Sequence, residues 1–339
     1  MKFIRKFLFP FAIIYGLVTA IRNFLFDKGI LKSTSFDLPV IAVGNLSVGG
    51  TGKTPQIEYL VRMLSSKYKV ATLSRGYKRQ SEGFVLAGAN DNALTLGDEP
   101  FQYHQKFPNI QVAVDANRTN GIQQLLTKVN PEVILLDDAY QHRKVKAGLY
   151  VLLTAYGDLY ADDFMLPVGN LRELRSGAAR AKIIVVTKCP TNLSIEEQNT
   201  IAKKLKLNSS QTLFFSTIAY DETVYSNNGE LLVSEILNTE KILLAGIAKP
   251  KPFFDFLKNE KDLCLTYPDH HHFSDKDLEE IQTKAKGKII ITTEKDYVRL
   301  KDSVLKNQLY YLPIKSQLLG NEMLFEKLIF RFVNTDCTD

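Results

Sequence analysis

The residues between positions 39 and 58 have the types and spacing that bind a nucleoside triphosphate. A short apolar run over 40–43 leads into a glycine-rich turn that ends in Gly52-Lys53-Thr54. Glycines allow successive backbone N–H groups to converge on phosphate oxygens, and the N-terminus of a following helix adds partial positive charge. In such a loop the lysine reaches the β- and γ-phosphates, and the threonine hydroxyl binds Mg²⁺. The stretch therefore predicts a strand, a phosphate loop and a helix, with ATP and Mg²⁺ as cofactors.

The predicted loop departs from the strict phosphate-loop pattern at one position. That pattern places glycine five residues before Gly52, and this chain has Ser47 there. The GGTGKT core is complete, and this favours a variant phosphate loop over a chance glycine-rich turn. The residues predicted to contact the nucleotide are Ser47, Val48, Gly49, Gly50, Thr51, Gly52, Lys53 and Thr54.

Two aspartates follow a second apolar run and are candidate metal ligands. Residues 131–138 read PEVILLDD, so that the run ends in Asp137-Asp138. This is typical of a Walker B strand, whose terminal carboxylate holds Mg²⁺ directly or through water. Either aspartate can fill that role. His142 and Arg143 follow four residues later, although a lone histidine is more often structural than catalytic.

Three further segments place polar side chains where ligands bind. Gly97-Asp98-Glu99-Pro100 fits a helix start, in which either acid caps the helix or accepts a proton from a substrate hydroxyl. Ser74-Arg75-Gly76-Tyr77 follows an apolar run, and ligands bind beyond the ends of parallel strands. Arg75 is thus a candidate phosphate contact, with a solvated surface arginine as the alternative. The charged loop at 172–175 either touches phosphates or metal, or simply connects two strands.

The elements that must position these residues alternate between strands and helices in both halves of the chain. This alternation predicts the α/β class, with a P-loop NTPase-like α/β/α domain built on a parallel sheet and a second, smaller α/β domain. Asn227-Asn228-Gly229 indicates a hairpin between the halves. The predicted organisation is an N-terminal membrane-anchoring helix over 1–28, a phosphate-loop kinase domain over 29–216, a hairpin linker over 217–234, and a smaller domain over 235–339 that closes the cleft.

The first 27 residues predict a helix that lies in a membrane interface. Basic residues precede an uncharged run over 7–20, and Arg22 closes it. A helix over these fourteen residues would be roughly 21 Å long, short of the roughly 30 Å hydrocarbon core. Basic side chains on anionic headgroups, with apolar ones in the acyl boundary, fit an interfacial helix. The alternatives are a helix packed on the protein core, a full span, and a signal peptide. No A-x-A-like cleavage site supports the last of these.

Composition and two failed motifs exclude several classes of function. A net charge of +6 fits an anionic ligand or a membrane surface, and lacks the dense basic stripe of a nucleic-acid-binding protein. Three scattered cysteines form neither a disulfide framework nor a zinc pattern, which favours a reducing compartment. Residues 187–190 read TKCP, without the aspartate that recognises guanine. Residues 267–273 read YPDHHHF, in which adjacent histidines point in different directions and favour a polar or catalytic role over a metal site.

These stretches together resemble the tetraacyldisaccharide 4′-kinase family, the lipid A 4′-kinases of Gram-negative bacteria. The similarity lies in an N-terminal amphipathic segment followed in order by GNLSVGGTGKTP, SRGY, GDEP, LLDDAYQH, LREL, VVTKCP, YPDHHHF and TTEKD. It covers about residues 1–300. GGTGKT alone is generic, whereas GDEP, DDxxQH and the DHHxF-like segment in series are specific. The Ala139-Tyr140 pair departs from the more usual Gly-Phe, which bears on local packing and not on chemistry.

The resemblance implies a reaction and a set of site residues. The γ-phosphoryl group of ATP would pass to the 4′-hydroxyl of a tetraacyl glucosamine disaccharide 1-phosphate, in a cleft between two α/β/α units. Asp98 and His270 match the family's catalytic pair, with Asp98 taking the hydroxyl proton and Lys53 holding the phosphates. The acidic positions associated with Mg²⁺, beside Thr54, are Glu99, Asp137, Asp138 and Glu173. Substrate contacts are expected from Asn45, Arg75, Tyr77, Arg118 and His142.

The resemblance also implies partners and a location. The expected partners are a lipid A disaccharide precursor and an anionic membrane surface, with no nucleic acid and no obligate protein partner. The expected location is the cytoplasmic face of the bacterial inner membrane, as a peripheral or monotopic protein, because an acylated acceptor stays in the bilayer. Two other functions compete. One is a soluble phosphate-loop kinase for a small metabolite, and the other is a phosphate-loop ATPase switch that acts through partner binding.

Overall fold

The structure is a computed structural model that describes Arg5 together with residues 7–269 and 271–335. The helices are α1 (Phe9–Asp27), α2 (Lys53–Leu64), α3 (Ala93–Leu96), α4 (Asp98–Lys106), α5 (Arg118–Lys128), α6 (Ile195–Leu205), α7 (Val233–Ile236), α8 (Lys251–Leu257), α9 (Asp275–Ala285), α10 (Glu294–Leu300) and α11 (Glu322–Thr335). The strands are β1 (Val40–Asn45), β2 (Val70–Ser74), β3 (Val85–Leu86), β4 (Gln111–Val114), β5 (Val133–Asp137), β6 (Leu149–Ala155), β7 (Ile183–Thr187), β8 (Thr212–Tyr220), β9 (Thr223–Ser226), β10 (Gly229–Leu232), β11 (Ile242–Ala245), β12 (Leu263–Thr266), β13 (Ile290–Thr293), β14 (Leu309–Leu312) and β15 (Ile314–Leu318).

The larger sheet places the strand that feeds the phosphate loop at its centre. Its nine strands run in the order β15-β8-β7-β6-β1-β5-β2-β4-β3. The pairs from β8 to β4 are parallel, and only the edge strands β15 and β3 pair antiparallel. Every residue of β1 is buried, as expected for a parallel strand covered by helices on both faces. The predicted α/β class with a parallel, phosphate-loop-type sheet is confirmed.

The smaller sheet has six strands in the order β10-β9-β14-β13-β11-β12. The four strands from β14 to β12 are parallel, and β9 and β10 form an antiparallel hairpin at the opposite edge. The hairpin turns at Asn227-Asn228, as the sequence predicts. Its strand β9 pairs with β14 through Tyr311 and Tyr225, so this segment is an edge of the smaller sheet as well as a connection.

The end of the chain returns to the larger sheet. The sequence predicts a smaller domain that continues to the last residue. The structure instead has a break between β14 and β15 at Pro313, which has no N–H for a strand ladder. After it, β15 pairs with β8, and α11 buries Phe325 against Phe214 of the larger unit. The structure thus differs from the predicted division from Ile314 onwards.

Helix α1 extends beyond the apolar run that predicts it. It spans 19 residues and starts with Pro10 in its first turn, so it is about 28 Å long. Within the part of the chain that the structure describes, it is the one helix long and apolar enough to cross a membrane, and 17% of its apolar window is buried. Its buried stripe contains Ala12, Gly16 and Phe26. Most of its other large apolar side chains are exposed, which argues against a core helix.

Candidate active site

The phosphate loop takes a backbone shape that requires glycine at two positions. Gly49 and Gly52 have φ values of +114° and +81°, a region in which a Cβ is unfavourable. Helix α2 begins directly after Gly52, at Lys53. The first N–H groups of this helix have no partner inside it and are available to an anion. The predicted strand, loop and helix are therefore all present.

Ser47 does not require glycine, because its backbone is extended. It forms a single antiparallel bridge with Leu171, and its carbonyl accepts a 2.7 Å hydrogen bond from Asn45 Nδ2. The next residue continues this pairing, with the Val48 N–H donating to Asn170 O at 2.8 Å. The first half of the loop is thus held by the 163–172 segment, and the departure from the strict pattern has a structural reason.

The second half of the loop is held by two side chains at the end of β7. Thr187 Oγ1 donates to Thr51 O at 2.7 Å, and Lys188 Nζ donates to Gly50 O at 2.6 Å. Both bonds use carbonyl oxygens, so they fix the peptide planes of the loop. Sequence reasoning used this TKCP segment only to exclude a guanine site and missed its contact with the loop.

Lys53 lies within a cluster of polar groups at the end of β5. Its Nζ is 3.6 Å from Asp138 Oδ1 and 3.4 Å from Asn45 Oδ1. Arg172 Nη2 donates to Asp138 Oδ1 at 2.9 Å and also contacts Asn45. Burial acts to raise the pKa of Asp138, but Lys53 and Arg172 together hold it below its usual value. Asp138 is therefore an ionised partner for the two cations.

Asp137 has a different environment from its neighbour. Its side chain is buried, and Tyr103 donates to Oδ2 at 3.3 Å. Burial raises the pKa of Asp137 to about 6, although Lys53 opposes this shift. Tyr103 also interacts with the Thr54 hydroxyl, so the Walker A threonine and Asp137 share one neighbour. Oδ1 of Asp137 has no hydrogen-bond partner among the described residues. An unpaired buried carboxylate oxygen next to a threonine hydroxyl fits a divalent cation.

The Asp98 and Glu99 carboxylates begin α4 and face the smaller unit. The turn before them depends on Gly97, which has a φ of +91° and would place a Cβ 3.1 Å from Tyr77 O. Arg299 of α10 binds Asp98 through two nitrogens, and Lys295 Nζ is 3.8 Å from Glu99 Oε1. Glu99 also raises the pKa of Asp137. The carboxylates of Glu99 and Asp137 therefore interact electrostatically.

His270, predicted to pair with Asp98, lies outside the described residues. Among those that are described, no three acidic, histidine or cysteine side chains form a ready-made metal site. A cation here would need phosphate oxygens and water to complete its shell, which is how Mg²⁺ usually binds at nucleotide sites.

Glu173 lies in a buried network rather than at the phosphate loop. Its carboxylate is 2% exposed. It accepts hydrogen bonds from Arg180 at 2.8 Å, Gln141 at 2.9 Å and Asn23 at 2.7 Å. Gln141 Nε2 also donates to Asn45 O at 2.8 Å and so connects Glu173 to the end of β1. The predicted role of Glu173 as a metal ligand gains no support from these contacts, which join α1 to the site.

Of the predicted substrate residues, His142 lines a cationic cavity, whereas Asn45 lies beside Lys53 and Arg172. The cavity has a volume of about 550 Å³ and is lined by Arg22, Phe26, Leu31, Ala116, Asn117, His142, Arg143 and Lys144. Arg118 is buried and donates from Nη2 to Asp137 O at 3.4 Å. Burial, together with Arg118 and three other cations, lowers the pKa of His142 to about 4. His142 is therefore neutral at pH 7. Arg75 belongs to the same cationic group and is exposed, as is Tyr77.

The surroundings of Tyr140 explain why this chain can have Ala139-Tyr140 in place of the more usual Gly-Phe. Its ring is fully buried, and its hydroxyl donates to Gly177 O at 2.8 Å. The guanidinium of Arg180 lies 4.6 Å from the ring centroid. A Cβ on Gly44 would lie 2.7 Å from Tyr140 Cβ, so glycine is required opposite this ring. The added hydroxyl has a partner, and the local packing tolerates tyrosine.

A phosphate loop on the central strand of a parallel sheet, with a buried carboxylate after the neighbouring strand, defines a phosphate-loop nucleotide-binding protein. Its second unit brings further charged side chains to the same cleft, as in enzymes that transfer a phosphoryl group to a second substrate. The family model described as tetraacyldisaccharide-1-P 4′-kinase matches residues 4–333. The chain belongs to this family.

Relatives and a solved structure agree over nearly the whole length. A tetraacyldisaccharide 4′-kinase of Flavobacterium johnsoniae is 71% identical over 334 residues, covering 98% of both chains. The corresponding protein of Bacteroides thetaiotaomicron is 48% identical over 343 residues, with 94% of this chain and 90% of that one covered. The crystal structure of LpxK from Aquifex aeolicus in complex with ATP is similar with a TM-score of 0.80 at 32% identity, covering 97% of this chain and 99% of that one.

Replacing Lys188 with methionine is expected to weaken ATP binding. An ordinary hydrogen bond contributes about 0.5–1.5 kcal/mol, and solvent weakens this exposed one, so the Kd for ATP should rise about two- to tenfold. Lys182 provides a matched control, because it is an exposed lysine at the opposite end of β7. Calorimetric titration with ATP measures both variants, and equal Kd values for Lys188→Met and Lys182→Met would refute the role of Lys188.

Proposed function

We propose that this protein transfers the γ-phosphoryl group of ATP to the 4′-hydroxyl of a tetraacyl disaccharide 1-phosphate, in lipid A synthesis. The observation that carries the proposal is a chain of hydrogen bonds between an exposed apolar helix and the strand that leads into the phosphate loop. Asn23 of α1, Glu173 and Gln141 form a chain of hydrogen bonds that ends at Asn45 O, the last residue of β1. A kinase for a small soluble metabolite has no need for such a helix at its nucleotide site.

The chain's own residues supply positioning and charge for phosphoryl transfer. Lys53 and the N–H groups of the loop bind the β- and γ-phosphates. The acceptor hydroxyl attacks the γ-phosphorus, the bond to the bridging oxygen breaks, and ADP leaves. Asp98 accepts the proton of the attacking hydroxyl, with His270 as its proposed partner. Phosphoryl transfer depends mainly on such positioning and electrostatic stabilisation.

Asp137 and Thr54 are the residues proposed to hold Mg²⁺. The unpaired Asp137 Oδ1 and the nearby hydroxyl support this assignment. These two side chains would hold the cation, which would supply positive charge to offset the charge of the phosphates. Asp138 is assigned to Lys53 and Arg172, since both cations already contact its carboxylate. Glu99 would add negative charge near this site, since it acts electrostatically on Asp137.

The cationic cavity is the proposed site for the sugar and phosphate groups of the acceptor. Arg22, Arg143 and Lys144 line it. Arg118 follows the lining residue Asn117 and donates to Asp137 O. Neutral His142 has a buried Nε2 without a partner among the described residues, and it can accept a hydrogen bond from a sugar hydroxyl. Arg75 and Tyr77 are placed at the rim because both are exposed.

The exposed face of α1 is the proposed contact with an anionic membrane. Its apolar side chains would enter the acyl boundary, with cationic residues such as Arg5 at the headgroups. The acceptor's acyl chains would remain in the bilayer while its disaccharide reaches the cavity at the base of α1. The proposed location is therefore the cytoplasmic face of the inner membrane, as a peripheral or monotopic protein.

Purified full-length protein should transfer label from [γ-³²P]ATP to the acylated disaccharide acceptor in mixed micelles. The product is identified as a glycolipid by extraction and chromatography. A soluble-metabolite kinase would leave the lipid unlabelled, and an ATPase switch would release label only as free phosphate. Either of those outcomes, with the acceptor present, would reject the proposal.

Replacing Asp98 with asparagine should lower turnover by about 10²–10⁴-fold, the usual contribution of a positioned general base. Asparagine keeps the size of the side chain but cannot accept the proton. The Kd for ATP should stay unchanged, because Asp98 is assigned to the acceptor side. Glu82→Gln is the matched control, since Glu82 is an exposed acid away from the site. Unaltered turnover in Asp98→Asn would remove this residue from the base role.

Placing two aspartates on the outer face of α1 should abolish vesicle binding. Ile14 and Leu17 are each 59% exposed, and a fully buried apolar side chain contributes about 1.5–3 kcal/mol. Ile14→Asp with Leu17→Asp should therefore reduce partitioning into anionic vesicles at least about a hundredfold. Ile195→Asp on α6 is the control, because Ile195 is 76% exposed on another surface. Equal flotation of the double variant and the wild-type protein would contradict the membrane role.

A further inference from the structure

We propose that Arg299, a residue of the smaller unit, is a positioning residue that fixes the plane of the Asp98 carboxylate for proton transfer. The inference rests on the proposed function, in which Asp98 accepts the proton of the acceptor hydroxyl. It concerns a side chain from α10 that is 201 positions away from Asp98 in sequence. It gives the smaller unit a specific task in the chemistry.

The contact between Arg299 and Asp98 is bidentate. Arg299 Nε donates to Asp98 Oδ1 at 3.2 Å, and Nη2 donates to Oδ2. A planar guanidinium that binds both oxygens of a carboxylate fixes the plane of that group, which a lysine cannot do. The two side chains are only 12% and 20% exposed, so water competes weakly for the pair.

The pairing leaves Asp98 able to act as a base. An ionised carboxylate has about four lone-pair sites, and the guanidinium occupies two of them. Arginine stays protonated at all working pH values, so it does not compete for the proton of the hydroxyl. The contact therefore orients the carboxylate and itself occupies only part of its hydrogen-bonding capacity.

Arg299 is itself held from two further directions. Its Nη1 donates to His271 O at 3.3 Å and lies 3.9 Å from Asp296 Oδ1. Asp296 is fully buried and accepts hydrogen bonds from Gly246 N at 2.8 Å and Thr293 Oγ1 at 2.7 Å. A fixed anion below the guanidinium restricts its rotation. Arg299 thus connects α10 and the YPDHHHF loop to Asp98.

The loop at His271 is a firm support for this contact. The His271 ring lies 4.9 Å from Tyr267 and 5.0 Å from Phe273, measured between centroids. Its Nε2 is 3.1 Å from Asp277 Oδ2 at the start of α9. Stacked rings and a hydrogen bond fix the backbone at this position, and the His271 carbonyl then fixes Arg299.

A second ion pair joins the same two helices at their other ends. Lys106, the last residue of α4, binds Glu294, the first residue of α10, and lies 2.8 Å from Glu58 Oε2 on α2. The interface between α4 and α10 therefore does not depend on Arg299 alone. Substitution of Arg299 should leave the two units in contact, and its effect should appear in catalysis rather than in folding.

The test is a double-mutant cycle with Arg299→Gln and Asp98→Asn, measured by lipid phosphorylation. Arg299→Gln should lower kcat about a hundredfold, the effect of a small misplacement of a reacting group, and leave the KM for ATP within about twofold. In the Asp98→Asn background the same substitution should have no further effect, because residues that act as a unit are not additive. Arg299→Lys should recover only part of kcat, since an ammonium does not fix the carboxylate plane.

Lys301→Gln is the matched control at the same helix interface. Lys301 follows α10, and its Nζ lies 4.7 Å from the centroid of the Phe101 ring. The substitution removes one positive charge next to α10 and changes no residue that is assigned to the reaction. Its kcat should stay at the wild-type value. Full multiplicative loss in the Arg299→Gln, Asp98→Asn double variant would overturn the proposal, as would Arg299→Lys activity equal to wild type. Absence of lipid labelling by the wild-type protein would instead reject the proposed function itself.

Discussion

A buried carboxylate at the base of α1 is the constraint on which the site depends. Glu173 is almost completely buried, and a buried charge is unfavourable unless it is paired and hydrogen-bonded. Arg180, Gln141 and Asn23 supply its partners from three separate segments. All three donors must be in place at once, and Gln141 also binds the end of β1. The Glu173 carboxylate therefore fixes α1, the loop after β5 and the end of β1 relative to one another.

The two neighbouring aspartates at the end of β5 have different surroundings. Successive side chains at a strand end point in different directions, and Asp138 adopts a φ of +47° as β5 ends. The Asp138 carboxylate lies against Lys53 and Arg172, whereas the buried Asp137 carboxylate accepts a hydrogen bond from Tyr103. The sequence pattern PEVILLDD leaves the two acids equivalent. Their separate environments arise only when the loop at Arg172 folds back onto β1.

Local patterns predicted most of the elements, because apolar periodicity and glycine placement depend on neighbouring residues. The hairpin turns at the predicted Asn227-Asn228, and the phosphate loop has its predicted flanks. Contacts between distant positions were not predictable in this way. Lys188 meets Gly50 across 138 positions and Arg299 meets Asp98 across 201. Pairing of β15 with β8 was missed for a related reason, since alternation of strands and helices does not specify which sheet a strand joins.

Helix α1 buries little of its surface, and yet its contacts fix its position relative to the nucleotide site. Its buried stripe has small residues, and a Cβ on Gly16 would already be 3.6 Å from Met165 Cγ, so the helix backbone packs closely against the protein. Polar contacts then fix its position, with Tyr15 donating to Arg172 O and Arg22 donating to Gln141 O. Both acceptors belong to the segments that build the nucleotide site. Any surface that binds the outer face of α1 is therefore held at a fixed distance from Lys53. An acceptor anchored in that surface would need to move only its headgroup to reach the nucleotide.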